Sequence, residues 1–135
     1  MNIWEKKHRF KRADRIESLI REELAELIPK SIRDPRVSNL TIIGVEMRPD
    51  AKSAVVRVSK MMSGEFREPT ATEERELIEG LSSASGFLFE QLRRRISIRH
   101  IPRLEFEYDD SIAKSAHVWS LLNKIANDKL SEKSA

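Results

Sequence analysis

The chain of 135 residues contains no cysteine, only four glycines and few aromatics. Without cysteine there can be no disulfide framework, no thiolate nucleophile and no zinc site built on sulfur, a composition that a reducing cytosol permits. Long apolar runs are also missing. The opening Met1-Asn2-Ile3-Trp4-Glu5-Lys6-Lys7 has none behind its charges, and nothing approaches the roughly 20 residues that cross a bilayer, so a cytoplasmic location is expected. Gly44, Gly64, Gly80 and Gly86 are too scattered for a phosphate-cradling loop or a dinucleotide fingerprint. His8, His100 and His117 have no partner at metal-ligand spacing, and no Gly-x-Ser-x-Gly elbow occurs. Asp109 and Asp110 could be imagined as an acid and base pair, but neighbours on a strand point to opposite faces, and a helix cap or a solvated turn suits Asp110 better. No enzyme constellation survives, and neither cofactor nor metal is expected.

What the chain does carry is charge, unevenly placed. Lys and Arg number 25 against 22 Asp and Glu, a net of +3. Within residues 1–15 stand Lys6, Lys7, Arg9, Lys11, Arg12 and Arg15 against two acids; Arg93, Arg94, Arg95, Arg99 and Arg103 face no acid at all between 93 and 103. Residues 65–79 are acidic instead, with six Glu against Arg67 and Arg75. Arginine's planar fork suits phosphate oxygens, and two basic clusters on a mixed surface form the footprint of a nucleic-acid binder. A solvated charged face is the competing explanation.

Periodicity supplies the elements of one domain with one core. Ile16, Leu19, Ile20, Leu24, Leu27 and Ile28 trace a helix that should stop at Pro29. A β-branched stretch from Leu40 to Met47 predicts a well-buried strand, and Ala54 to Ser59 the returning arm of a hairpin about a turn at 48–53. A loop over 60–71 ends at Thr70 or Thr72 as an N-cap. Leu77, Leu81, Ala84, Leu88 and Leu92 share one helical face, but Ser82-Ser83-Ala84-Ser85-Gly86 is a poor helix-forming run that predicts a break. Gly86 is expected there with positive φ as a helix cap. Leu104, Phe106 and Tyr108 alternate with acids as a half-buried strand. Ile112, Ala116, Trp119, Leu122 and Ile125 or Ala126 trace an amphipathic helix before a polar tail from Lys129. Phe87, Phe89, Phe106 and Tyr108 are expected in the core, and Trp119 is expected to pack its helix on the same domain.

The Asp34-Pro35-Arg36 triplet, the hairpin ending Val55-Val56-Arg57-Val58-Ser59, the Ala84-Ser85-Gly86-Phe87-Leu88 segment and the run Arg99 to Ser111 together resemble the bacterial ribosome-binding factor A family. The match runs from about Arg9 to Leu122. The resemblance implies an α+β fold: a single type II KH-like domain of order α-β-β-α-α-β over residues 1–110, then a C-terminal helix over 111–128 packed on or extending it and a flexible tail over 129–135. It also implies an interhelical kink at Ala84, Ser85 and Gly86, where RNA-binding KH domains usually carry Gly-x-x-Gly.

Function follows the same resemblance. It implies a monomeric, non-enzymatic assembly factor that engages the immature small (30S) ribosomal subunit and its 16S rRNA. The role would lie in late maturation, including 5′-end processing, and in growth in the cold, with assembly GTPases as further candidate partners. Because an Ala-x-Gly kink offers less exposed backbone than Gly-x-x-Gly, RNA contact should fall to Arg93, Arg94, Arg95, Arg99 and Arg103, and to Lys7, Lys11 and Arg12 at the N-terminus. A protein-protein adaptor without RNA contact is the alternative from another class, and a ribonuclease with an unrevealed site the third.

Overall fold

A computed structural model describes residues 3–60 and 69–133, with side chains placed at 12–60, 69–111 and, in the last helix, at 114, 115, 118 and 120–128. The elements are α1 (Ile3–Ser31), β1 (Leu40–Met47), β2 (Ser53–Lys60), α2 (Ala71–Ser83), α3 (Ser85–Arg95), β3 (Arg103–Tyr108) and α4 (Ser111–Lys133). The expected α-β-β-α-α-β order and C-terminal helix are therefore present. The strands form one sheet in the order β1-β2-β3, with β1 antiparallel and β3 parallel to β2.

One face of this sheet takes the helices. Ile20, Leu24, Leu27 and Ile28 of α1 join Leu77 and Leu81 of α2 and Leu88 and Leu92 of α3, and close over Val56, Val58 and Leu104. Burying each of these side chains is worth about 1.5–3 kcal/mol, so their shared stripe decides how the helices lie. Phe106 and Tyr108 pack against the cluster as expected, whereas Phe87 is 46% exposed in the first turn of α3. It lies off the Leu88–Leu92 face that the core selects.

β1 is only half-buried along most of its length, not well buried, because it is an edge strand covered on one face. Its parity also changes. Ile42 stands opposite Val58, Gly44 opposite Arg57 and Val45 opposite Val56, leaving Ile43 as a bulge. One extra residue exchanges the faces, so Leu40 and Ile42 before the bulge and Val45 after it all reach the core.

Helix ends show three further departures. α1 continues past Pro29 to Ser31, because proline removes only the N–H that would serve the Ala25 carbonyl, and the Ile32 N–H still reaches the Ile28 carbonyl at 3.0 Å. α4 runs to Lys133 rather than giving way to a tail at Lys129, since residues 129–133 contain no helix breaker. Its entry is held by Asp109, not Asp110: the Asp109 carboxylate accepts from the Ser111 N–H at 2.8 Å, while Asp110 pairs with Lys114. Thr70 caps α2 as expected, in a reciprocal box with Glu73.

The break between α2 and α3 sits on Ala84, at φ −90° and ψ −2°. Gly86 lies inside α3, outside the positive-φ region, with open space where a Cβ would go. Hydroxyls rather than a left-handed glycine accommodate the break, as Ser85 Oγ donates to the Ser82 carbonyl at 2.7 Å and Ser83 Oγ to that of Glu79 at 2.9 Å.

The glycine with a steric duty is Gly80, where a Cβ would stand 2.7 Å from Val37 Cγ2. Gly80→Ala should therefore destabilise, since overpacking costs about 1–3 kcal/mol against a helix gain of no more than ~1. Gly86→Ala should stabilise by up to ~1 kcal/mol. Urea unfolding of both variants checks the opposite signs.

Candidate nucleic-acid interface

Parallel pairing fixes where the basic residues go. Because β3 runs alongside β2, Arg103 opens β3 beside Ser53, and its N–H donates to the Lys52 carbonyl at 2.8 Å. Lys52 belongs to the β1–β2 turn, so that turn and the end of the α3–β3 connection occupy one end of the sheet. α1 passes the same end, where Glu17 Oε1 accepts from the Met47 N–H at 2.8 Å. The N-terminal half of α1 and the start of β3, some 80 residues apart in sequence, thus both lie toward the hairpin end.

The two basic clusters also share a flank of α1. Arg95, at the last turn of α3, reaches Glu23 at 3.3 Å and Glu26 at 4.0 Å. Residues 11 apart on an α-helix are about three turns apart and almost in line. Arg12 therefore lies in line with Glu23, and Arg15 with Glu26, about 16 Å toward the helix N-terminus. The 96–102 connection leaves Arg95 on this flank and ends at Arg103; its Ile98 and Ile101 pack on the core, while Arg99 and His100 are exposed.

The five arginines of the second cluster are not equivalent. Arg95 is held by Glu23 and Glu26, and Arg93 lies 3.4 Å from Glu90 of its own helix. Arg94, Arg99 and Arg103 are exposed and make no ion pair among the described residues, and the same is true of Arg12. The side chains of Lys7 and Lys11 lie outside the described residues, as does that of Trp119. Ala84 and Ser85 form the interhelical junction, followed by exposed Gly86 and Phe87.

A second fastening, hidden in the Asp34-Pro35-Arg36 triplet, holds α2 to the far end of α1. The Arg36 guanidinium clasps the Asp34 carboxylate, with Nε at 3.1 Å and NH2 at 2.7 Å, and its other nitrogen lies 3.9 Å from Glu79. The Arg36 side-chain hydrogen bonds, joined by its backbone N–H, hold the Asp34 carboxyl below the ordinary aspartate range. Neither this clasp nor the role of Gly80 is evident from spacing; the only sequence signal is an acid and an arginine flanking proline.

Among the described residues no group of three or more His, Cys, Asp or Glu could hold a metal ion, and no helix is long and apolar enough to cross a membrane. A cavity of about 270 Å³ between α1 and the start of β1 is lined by Leu24, Ile28, Pro29, Val37, Leu40 and neighbours, with Asn39 but no titratable group. It offers no acid, base or nucleophile.

Fold and surface together define an α+β domain with a basic strip at one end of its sheet. The family model for ribosome-binding factor A matches residues 12–122, and the chain belongs to that family. A ribosome-binding factor A of Syntrophus aciditrophicus is 35% identical over 120 residues, spanning 89% of this chain and 92% of that one. The crystal structure of ribosome-binding factor A from Thermus thermophilus superposes with a TM-score of 0.57 at 32% identity, over 71% of this chain and 94% of that one. A Thermus thermophilus homology model fitted into a cryo-EM map of a 30S-RbfA complex gives 0.52 at 31% identity, over 71% and 93%.

The Asp34 clasp sets an acid dependence. A carboxyl whose pKa falls on folding adds stability above its unfolded value, about 3.9, and that contribution disappears as pH drops through the folded value. Asp34→Asn should therefore lower the urea midpoint at pH 7, with the gap to wild type closing as pH falls below the ordinary aspartate range.

Proposed function

We propose that this protein is a non-enzymatic ribosome assembly factor of the cytoplasm that binds the immature small (30S) subunit through its 16S rRNA. It acts as a monomer in late maturation, including 5′-end processing, and supports growth in the cold; assembly GTPases are the partners expected to act with it. One observation carries the reading: Arg12, Arg94, Arg99 and Arg103 are exposed without a carboxylate partner among the described residues, on α1, on the last turn of α3 and on the segment that leads into β3. Unneutralised guanidinium groups suit RNA phosphates, whose contacts release counterions and make binding salt-dependent. Family membership and the 30S complex of the Thermus protein support the subunit as target. The fold order and the Ala84–Gly86 junction support a KH-like module in which phosphate contact at the arginines takes over from a Gly-x-x-Gly clamp.

The adaptor reading draws on a different observation. Val118, Leu121, Leu122 and Ile125, spaced i, i+3, i+4, i+7 on α4, are between 48% and 54% exposed rather than buried within the fold. α1, α2 and α3 already fill the core face of the sheet. An adaptor would bind through this stripe independently of salt.

Co-sedimentation with purified small subunits over a salt series separates the two. Replacing Arg94, Arg99 and Arg103 with Gln should weaken binding and lower the log-log salt slope by about 0.7–0.9 for each phosphate no longer neutralised. Arg95→Gln should leave the slope intact, because Glu23 and Glu26 already neutralise that charge. An unchanged slope in the triple variant would refute RNA contact at the cluster and favour the adaptor.

A further inference from the structure

Lys52 stands out neither by spacing nor by local charge, and Arg15 closes the N-terminal basic cluster; the fold carries both toward the hairpin end of the sheet, where Arg103 begins β3. Lys52 is exposed in the β1–β2 turn, and its side chain makes no ion pair among the described residues. Its backbone carbonyl is bonded to the Arg103 N–H, so the Lys52 backbone is held next to that of Arg103, one residue before the Ser53–Arg103 pair of the β2–β3 ladder. The turn is rigidly formed: Arg48 N–H donates to the Ser53 carbonyl at 2.9 Å, Ala51 N–H to the Arg48 carbonyl at 2.9 Å, and Lys52 N–H to the Asp50 carboxylate at 3.0 Å. Arg48 is not available as a phosphate contact in the same way, because its guanidinium is held by Glu105.

Arg15 is exposed and one turn from Arg12 on the flank of α1 that also presents Glu26. Three turns on, Glu26 is occupied by Lys30 and Arg95. Arg15 itself makes no ion pair among the described residues, and the positions one turn further along the helix, Ser18 and Leu19, carry no charge. Asp14 points elsewhere, since adjacent helical positions differ by about 100°. Cations from α1, from the turn and from the start of β3 are thereby collected at one end of the sheet with no acid paired to them among the described residues.

We propose that Lys52 and Arg15 complete, with Arg12, Arg99 and Arg103, a single strip that binds the phosphate backbone of RNA at the hairpin end of the sheet. The inference rests on the RNA-binding reading and extends it to two elements that reading did not include, the β1–β2 turn and the second basic turn of α1. A strip assembled from three rigid elements tracks a nucleic-acid backbone rather than reading single bases, since phosphate contacts fix position and carry no sequence information.

The test compares Lys52→Gln, Arg15→Gln and Arg99→Gln in the full chain with Arg33→Gln, an exposed cation just past the far end of α1, about 25 Å from Arg15, that serves as control. Affinity for purified small subunits is measured between about 50 and 200 mM salt, with thermal unfolding confirming that each variant is folded. Lys52→Gln and Arg15→Gln should each weaken binding at the low-salt end and flatten the log-log slope by about 0.7–0.9, so that their deficit shrinks about threefold by the high-salt end. Lys52→Arg should retain the wild-type slope. If Lys52→Gln and Arg15→Gln behave like Arg33→Gln while Arg99→Gln still flattens the slope, the strip is wrong and the RNA reading stands. If Arg99→Gln is also without effect, the RNA reading fails and the strip with it.

Discussion

The parallel pairing of β3 with β2 is the constraint on which the rest of the molecule depends. A parallel neighbour cannot be reached by a tight turn, so the chain must leave β2, cross the helix face of the sheet and return to the end where β2 began. α2 and α3 make that crossing, and their Leu77, Leu81, Leu88 and Leu92 cover Val56, Val58 and Leu104 as they do so. The return leg deposits Arg99, His100 and Arg103 beside the hairpin turn. Basic residues at this end of the sheet are thus a consequence of topology, and the apolar stripe of α1 brings a second helix past them.

Electrostatics then divides residues that look alike in sequence. Arg95 sits where α3 crosses α1 and meets Glu23 and Glu26, so its charge is neutralised inside the protein. Pairs of this exposure add at most about 1 kcal/mol, but they cancel the local field that a phosphate would feel. Arg48 and Arg57 are likewise matched, by Glu105 and Glu46 on the open face of the sheet. The unmatched Arg103 lies at the hairpin end, and the unmatched Arg12 and Arg15 lie along one flank of α1.

The junction between α2 and α3 shows how local chemistry and packing share one task. A run of serines weakens the helix there and supplies hydroxyls for carbonyls at the break. Leu81 before the junction and Leu88 after it are both fully buried, so core burial holds the two helices at the angle that the serines permit. Gly86 is not needed for the turn itself. Gly80 is needed for the fit, since Val37 occupies the space of its missing Cβ.

Wherever the physical cause is local, the sequence by itself determined the outcome. Helical stripes at Ile20–Ile28 and Leu77–Leu92, the alternation of Leu104, Phe106 and Tyr108, the Thr70 cap and the hairpin turn all follow from spacing and side-chain chemistry within a few residues. The bulge at Ile43 was not legible because a parity change is defined only by the partner strand. Nor was the continuation of α1 through Pro29, which the Ile32–Ile28 hydrogen bond carries. Charge counting found the two basic clusters, but pairing is a matter of distance between elements. Only the tertiary structure could set Glu23 against Arg95, leave Arg99 and Arg103 without a carboxylate partner among the described residues, and bond the Lys52 carbonyl of a remote turn to the Arg103 N–H.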